Sequence, residues 1–440
     1  MTPSPAAGPA EGGAIATRRE VWAWAMYDWA NSAYSTLSIT LLVIYIEKVL
    51  FPKEEYGTLG GLVWAWGIAL SMFVAAVLSP IVGAMADAHA NKRTWLAWMT
   101  FGGVGSSIAL SLVPPEYPWV IVALFVSACL FFELSLGFYN GFLPEIADEQ
   151  SMNRISAWGY GLGYVGGGLA LLVALVVIKS EVTDSVTLLR GGLFIMGAWW
   201  GLFALPTLLV LRDRGTGSAA AGSVPQVAVA ALKKVGHTLG NIRSYRMLAI
   251  FLVAFLFYND GVQTVLSQAS TFAINVLDFS DEDLIGVILM IQFLALPGAI
   301  LIGWLAGRLG QKPVLMFCLA VWIALLAYAY TIQEKWEFWL LGAFVALVMG
   351  GTQSVSRAIM GTMTPKARAA EFFGFFNLSG KATSFMGTFL FGAIIHQTGS
   401  GRYAIISLLP FFLIGLVLIS KINVARGHRE ALSANQTAED

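Results

Sequence analysis

The sequence predicts an all-α membrane protein in which twelve transmembrane helices form two six-helix bundles. Three observations support this fold class. Apolar residues make up 57% of the 440-residue chain and charged residues only 12%, about half the usual share in soluble proteins. Twelve segments each hold about 20 mostly apolar residues, which is enough to cross a bilayer, and the mean hydropathy is +0.73. The two halves of the chain also resemble one another.

The charge and cysteine content exclude several classes of protein. Basic and acidic residues number 26 each, so the chain offers no net positive field for nucleic acid. Cys129 and Cys318 both lie in apolar runs, where we expect packing and not a disulfide framework. The four histidines are scattered without ligand spacing, and no P-loop is present. We therefore predict no metal, no organic cofactor and no nucleic-acid partner.

The chain divides into five segments. We predict a disordered tail over 1–20, an N-terminal bundle over 21–211, a flexible Gly/Ser/Ala-rich linker over 212–245, a C-terminal bundle over 246–421 and a second tail over 422–440. The predicted spans are 21–49, 58–86, 93–113, 117–142, 154–178, 188–211, 246–277, 284–306, 313–332, 336–363, 370–396 and 402–421.

The orientation follows from the distribution of lysine and arginine between alternate loops. With the N-terminus in the cytoplasm, the cytoplasmic segments hold 18 of these residues and the outer segments 6. Both termini are therefore predicted to face the cytoplasm. The protein is expected to be a multi-pass integral membrane protein, in the cytoplasmic membrane if the source is bacterial.

The internal repeat points to a transporter. Gly83 and Lys92 recur at an offset of 220 residues as Gly303 and Lys312. Repeated halves of this kind are typical of transporter folds, in which the site lies between the repeats and opens to each side in turn. Because no ATP-binding signature is present, the energy is expected to come from solute or ion gradients.

One cytoplasmic loop carries a recognisable motif. Residues 83–93 read GAMADAHANKR and resemble the signature loop of the major facilitator superfamily, which has a glycine, an acid four residues later and a basic cluster. We expect Asp87 to bond across the bundle and to hold one conformation. Ala90 and Asn91 depart from the pattern, and the second copy has Gly307 where the acid would stand.

Four strings narrow the resemblance further. These are WAMYDWANSAYSTL over 24–37, GFYNGFLPEIADE over 137–149, NRISAWGYGLGYVGGG over 153–168 and FLFYNDGVQTV over 255–265. Together they resemble the vacuole-effluxer-like branch of the same superfamily, over nearly the whole of 21–421. The best-known members of that branch release amino acids from the fungal vacuole, and many bacterial members have no assigned substrate. The resemblance implies a transporter but specifies no ligand.

Charged side chains inside the spans mark the candidate site. A charge at the bilayer centre costs about 2.5–3.5 kcal/mol on insertion scales, so such residues are functional candidates. At about 1.5 Å rise per residue, three of them fall near the midplane and two nearer the inner side. In that order they are Glu133, Asp260, Lys381, Asp28 and Arg357.

Polar residues one or two helical turns from these charges complete a predicted water-filled cavity. The predicted substrate-binding residues are Asn31, Tyr34, Glu133, Asn140, Tyr258, Asp260, Gln263, Gln353, Asn377 and Lys381. The predicted coupling or gating residues are Asp28, Asp87, Asp260 and Arg357. Alternatively, Asp28 and Arg357 form a structural ion pair that locks the two bundles. The two interpretations are compatible, because a gating ion pair must break.

The specific hypothesis is amino-acid efflux by a secondary transporter that acts as a monomer. Lys381 or Arg357 would bind the substrate carboxylate. Asp28, Glu133 or Asp260 would bind the substrate ammonium. Asp28 or Asp260 would exchange a proton, since a carboxyl group in a low dielectric favours its neutral form; a sodium ion would serve in its place. The sequence is also compatible with a transporter of sugars, organic anions or drug-like compounds, with a membrane-embedded sensor, or with an enzyme, although no nucleophile–base motif is visible.

One glycine pattern has a structural interpretation. Gly159, Gly163 and Gly167 recur every four residues in the fifth predicted span. This spacing is typical of closely packed membrane helices. The overlapping GLGYVG string formally matches a dinucleotide motif, but it lies inside a span and not after a strand.

Overall fold

The computed structural model describes residues 16–57, 59–89, 91–148, 150–180, 182–214, 245–277, 279, 281–381 and 384–439. Every regular element in this part of the chain is a helix. The helices of the first half are α1 Arg18–Leu37, α2 Lys53–Tyr56, α3 Leu59–His89, α4 Lys92–Leu112, α5 Pro118–Gly141, α6 Leu143–Ile146, α7 Met152–Ile178 and α8 Ser185–Val210. Those of the second half are α9 Arg246–Leu277, α10 Asp281–Leu309, α11 Gln311–Thr331, α12 Lys335–Thr362, α13 Ala369–Lys381, α14 Ser384–Thr398, α15 Gly401–Ile406, α16 Leu409–Lys421 and α17 Val424–Glu439.

Eleven helical segments are long and apolar enough to cross a membrane. The predicted eleventh span, 370–396, falls on α13 and α14, and the apolar stretch Met386–Ile395 is shorter than the other spans. The first span continues from α1 through two π-helical segments, Ser38–Leu42 and Tyr45–Leu50. Such segments are rare in proteins and occur often near functional sites.

Both predicted tails contain helical residues. A capping box between Thr17 and Glu20 starts α1 at Arg18, three residues inside the predicted tail over 1–20. The rest of that tail, 1–15, lies outside the described residues, as does most of the predicted linker over 212–245. The second predicted tail contains α17, which packs beside α12, where the His428 ring lies 2.9 Å from the Thr362 carbonyl oxygen.

Buried apolar side chains form two large clusters that follow the two halves of the chain. One cluster runs from Trp24 to Leu211 and includes only Ala358 and Ala370 from the second half among its buried members. The other runs from Tyr245 to Ile422. Each half therefore has a core of its own, and the halves meet mainly through other contacts.

Two of the close approaches between the halves involve a glycine near the end of a helix. A Cβ atom at Gly83 would lie 2.6 Å from the carbonyl oxygen of Ala370, and one at Gly303 would lie 2.5 Å from the Cβ of Ala157. These contacts join α3 to α13 and α7 to α10. Both lie toward the membrane face at which α1 begins and α16 ends. We call it the basic face, because Lys92 lies there at the start of α4.

Candidate functional site

A buried ion pair joins the two halves of the chain. The Arg357 guanidinium of α12 donates from Nη1 to Oδ2 of Asp28 in α1 over 2.8 Å. The side chains are 1% and 8% exposed. Tyr139 of α5 donates its hydroxyl to the same carboxylate oxygen over 2.8 Å. The ion pair that the sequence suggested for Asp28 and Arg357 is therefore present.

The remaining donors of Arg357 also bond to the first half. Nε donates to the Ser156 hydroxyl over 3.0 Å, Nη2 to the Ser156 carbonyl over 2.8 Å, and Nη1 to the Asn140 side-chain oxygen over 3.3 Å. Because a guanidinium presents its donors in a fixed fork, this set of acceptors holds it in one orientation. Arg357 thus belongs to α12, but its guanidinium forms hydrogen bonds with residues of α1, α5 and α7.

Aromatic rings enclose the guanidinium. Its central carbon lies 3.9 Å from the ring centroid of Tyr160 and 4.8 Å from that of Trp24. Trp24 in turn stacks on Tyr139 with centroids 4.7 Å apart. Rings placed over a desolvated cation attract it and exclude water. The sequence did not single out Tyr139 or Ser156 as site residues, although both lie in strings that carry the family resemblance.

Three glycines of α7 make room for the polar stripe of α1. A Cβ at Gly159 would lie 2.6 Å from both the Asp28 carboxylate and an Arg357 nitrogen. One at Gly163 would meet Ser32, and one at Gly167 would lie 2.4 Å from the Thr36 hydroxyl. The predicted close packing is thus present, and it lets polar side chains of α1 lie against the α7 backbone.

Further hydrogen bonds connect the halves around this pair. The Ser156 hydroxyl donates to the Ser354 carbonyl over 2.7 Å, and the Tyr164 hydroxyl donates to the Gln353 side-chain oxygen. On the side away from the basic face, the Gln292 amide donates to the Thr36 hydroxyl over 3.2 Å. The predicted residue Gln353 therefore bonds across the same interface between the halves as Asp28 and Arg357.

A second acidic group lies in the first half, beside aromatic rings. Glu133 of α5 is 5% exposed and lies two helical turns from Asn140, on the same helix face. Tyr34 of α1 packs against Phe132, the residue before Glu133, and against Trp200, with ring centroids 4.8 and 5.5 Å away. The combination of a carboxylate and aromatic faces is suited to an organic ammonium group.

The acidic group that the sequence predicts near the midplane of the second half is Asp260, which is 1% exposed. Its Oδ2 accepts the backbone N–H of Gly387 in α14 over 3.0 Å. Its Oδ1 and the neighbouring Thr264 hydroxyl have no hydrogen-bond partner among the described residues. The preceding Asn259 donates to the Gly380 carbonyl over 3.0 Å. Asp260 therefore lies where α9 faces the two helices of the eleventh span.

The remaining predicted site residues differ in burial and in hydrogen bonding. Asn31 is buried and Asn377 half-buried, and the side-chain nitrogen of each lacks a partner in the described part of the chain. Tyr258 belongs to the core of the second half, where its hydroxyl lies 2.6 Å from that of Ser356. Gln263 is half-buried. The side chains of Asp87 and Lys381 lie outside the described ones.

The basic cluster of the signature loop bonds within the first half. Lys92 is 1% exposed and forms an ion pair with Glu145 at the end of α6. The backbone N–H of Arg93 donates to Asp213 over 3.0 Å. The glycine of the same loop, Gly83, makes the close contact with α13 described above. The loop thus bonds to other segments of the first half and contacts the second half at Gly83.

The fold matches solved membrane transporters. The human organic anion transporter MFSD10 aligns with a TM-score of 0.74, 12% identity and coverage of 91% of this chain and 99% of that one. The proton:xylose symporter XylE aligns with a TM-score of 0.72, 12% identity and coverage of 92% and 95%. At this identity the likeness shows the fold, which is the two-bundle fold of the major facilitator superfamily. Together with the sequence family identified next, this fold makes the protein a multi-pass membrane transporter and not an enzyme.

Sequence comparison identifies the family. The model of the family described as vacuole effluxer Atg22 like matches residues 64–432, and the chain belongs to that family. It is 32% identical over 405 residues to the uncharacterized MFS-type transporter YxiO of Bacillus subtilis, covering 90% of this chain and 93% of the relative. It is 30% identical over 300 residues to autophagy-related protein 22-1 of Penicillium rubens, covering 64% of this chain. The chain aligns with only half of that fungal relative's length.

Proposed function

We propose that the protein is a secondary transporter that exports amino acids by alternating access, with the Asp28–Arg357 pair as its inner gate. The observation that carries the mechanism is the pair itself, because one buried cation of the second half is held entirely by acceptors of the first. Separating the halves on this side requires all of these bonds to break. A two-state element of this kind is what alternating access needs.

Two features support a state closed on the basic face. Asp28 lies ten residues after the start of α1 and Arg357 five residues before the end of α12, so both are nearer the basic face than the opposite one. The Gly83–Ala370 approach lies on the same side. A solved neighbour with a TM-score of 0.68, the transporter FucP, is in an outward conformation. With the basic face in the cytoplasm, as the loop charges predict, this state is closed on the inner side.

The proposed substrate is a zwitterionic amino acid. Glu133 and the rings of Tyr34 and Trp200 provide a site for its ammonium. Each nitrogen of the Arg357 guanidinium already bonds to the first half in this state, so we assign the substrate carboxylate to Lys381, the cation predicted near the midplane. The choice of an amino acid also rests on the family resemblance, because the best-known members of that family carry amino acids.

Asp260 is the better candidate for proton coupling. Asp28 already accepts hydrogen bonds from Arg357 and Tyr139, whereas Asp260 has an oxygen without a partner and no ion pair among the described residues. A buried carboxyl group can exist in its neutral form where no cation compensates its charge. Solved neighbours described as proton symporters, XylE and FucP, are consistent with this use.

The test is flux in liposomes that contain the purified protein. We expect uptake of labelled neutral amino acids to respond to an imposed pH gradient. In Asp260→Asn, exchange between substrate pools should persist, but the response to the gradient should be lost. Asp184→Asn is the matched control, because Asp184 caps α8 outside the site and asparagine caps equally well.

Several outcomes would contradict the proposal. An unchanged pH response in both Asp260→Asn and Asp28→Asn would exclude these carboxylates from coupling. A response to a sodium gradient alone would replace the proton by sodium. Transport of sugars, nucleosides or organic anions without amino acids would retain the transporter and discard the amino-acid substrate.

A further inference from the structure

A separate cleft lies between the two halves at the basic face. It measures about 470 Å³ and is open to the surface. The first half lines it with the start of α7, including Arg154 and Trp158, and the second half with the end of α10, including Trp304 and Arg308. None of these residues belongs to the substrate site described above.

The lining changes from polar to apolar with depth. Ile300, Trp304 and Arg308 follow one another at intervals of four residues on one side of α10. Ile300 is therefore about 12 Å deeper in the membrane than Arg308. The neighbouring Leu301 is 50% exposed and extends the apolar surface toward the bilayer. A cleft with cations at its mouth and apolar walls below has the polarity of a phospholipid.

The charges at the mouth favour an anion. Arg154 and Arg308 are both exposed, and neither forms an ion pair with a carboxylate of the described residues. The Arg308 guanidinium lies 4.2 Å from the Trp304 ring centroid. Asp148 also lines the cleft, but its Oδ1 accepts the Ser151 N–H over 2.7 Å. Hydrogen bonds from Ser151 and the nearby charge of Arg154 lower the pKa of Asp148, so at neutral pH the described side chains contribute two positive charges and one negative.

We propose that this cleft binds an anionic phospholipid, with the headgroup phosphate between Arg154 and Arg308 and an acyl chain along Trp304 and Ile300. Basic pockets between membrane helices recognise such headgroups, and tryptophan favours the level of the headgroups. Because Gly303 and Ala157 bring α10 and α7 into contact beside the cleft, the bound lipid touches both halves. It therefore stabilises the state in which the basic face is closed.

The experiment measures thermal unfolding of the purified full-length protein in detergent, with phosphatidylglycerol, phosphatidylcholine of the same acyl chains, or inorganic phosphate added. We expect phosphatidylglycerol to raise the Tm more than the other two. Arg154→Gln and Arg308→Gln should each weaken its apparent affinity about fivefold. Lys421→Gln removes an exposed cation of the same face outside the cleft and should leave the affinity unchanged.

A second variant removes the space without removing charge. A Cβ at Gly307 would meet nothing within 4 Å, so Gly307→Trp should fold normally and fill the cleft. We expect its Tm without lipid to match that of the wild type and its response to phosphatidylglycerol to be lost. Equal shifts from phosphatidylglycerol and phosphatidylcholine would overturn the proposal. So would an equal shift from inorganic phosphate, or an equal loss of affinity in Lys421→Gln.

Discussion

At the scale of single residues, the environment of Arg357 explains how a full charge is accommodated between membrane helices. Taking two charges out of water costs several kcal/mol per ion, and the mutual attraction offsets this only when the geometry is good and the other donors are satisfied. Here Asp28, Asn140 and both polar groups of Ser156 supply acceptors. The surrounding rings are bulky, so water is excluded while the pair is intact.

This arrangement predicts a non-additive effect on stability. Asp28→Asn leaves Arg357 buried without its counter-ion, so we expect a loss of about 3–5 kcal/mol in the state closed on the basic face. Asp28→Asn combined with Arg357→Gln removes both charges and should recover part of that loss. Thermal unfolding of the wild type, the single variant and the double variant measures the coupling. A double variant no more stable than the single one would contradict the role of the pair.

At the scale of elements, the contact of α1 with α7 depends on glycine. Two glycines of α7, Gly163 and Gly166, differ in what an added methyl group would contact on α1. At Gly163 it would meet the Ser32 hydroxyl, which can rotate, whereas at Gly166 it would lie 2.5 Å from the backbone carbonyl oxygen of Trp29. Backbone atoms cannot give way without moving the helix, so Gly166 is the position that sets the distance between α1 and α7.

We therefore expect Gly166→Ala to lower stability by about 1–3 kcal/mol, the usual cost of overpacking. Gly105→Ala is the matched control, because a Cβ at that position of α4 would meet nothing within 4 Å. Alanine there should be neutral or stabilising by up to about 1 kcal/mol through its higher helix propensity. The Tm values of the two variants provide the measurement. Equal effects would show that α1 and α7 are not closely packed in the membrane.

At the scale of the whole molecule, separate cores allow the halves to move as units. The contacts between them include polar networks and close backbone approaches, and such an interface can hold two discrete arrangements. The approach of Gly83 to Ala370 is among the tightest of these on the basic face. A larger side chain at that position would act on the equilibrium between conformations and leave each core intact.

Gly83→Leu should accordingly prevent closure of the basic face. We expect normal expression, loss of net transport, and faster thiol labelling of an Asn140→Cys reporter from the basic face. Gly392→Leu is the control, since a Cβ there would meet nothing within 4 Å, and it should leave the labelling rate unchanged. Unaltered labelling in Gly83→Leu would mean that this contact does not control access to the site.

The membrane class, the approximate positions of the spans and the charged residues of interest could all be predicted from the sequence. Hydropathy and helical periodicity are local properties, so a run of about 20 apolar residues specifies a span without knowledge of its neighbours. The same reasoning isolated Asp28 and Arg357, because a charge inside a span is costly whichever helix lies beside it. The glycine spacing in α7 likewise predicted close packing, but not against which helix.

The partners of these residues depend on the packing of distant helices. Asp28 and Arg357 are 329 residues apart in the chain, and their pairing follows from how α1, α7 and α12 pack. Tyr139 and Ser156 were missed because a hydroxyl on a membrane helix has no local signature until its partner is known. The cleft between α7 and α10 exists only where both halves contribute walls. Local sequence thus specifies the helices and their unusual charges, whereas contacts between distant helices specify the partners of those charges.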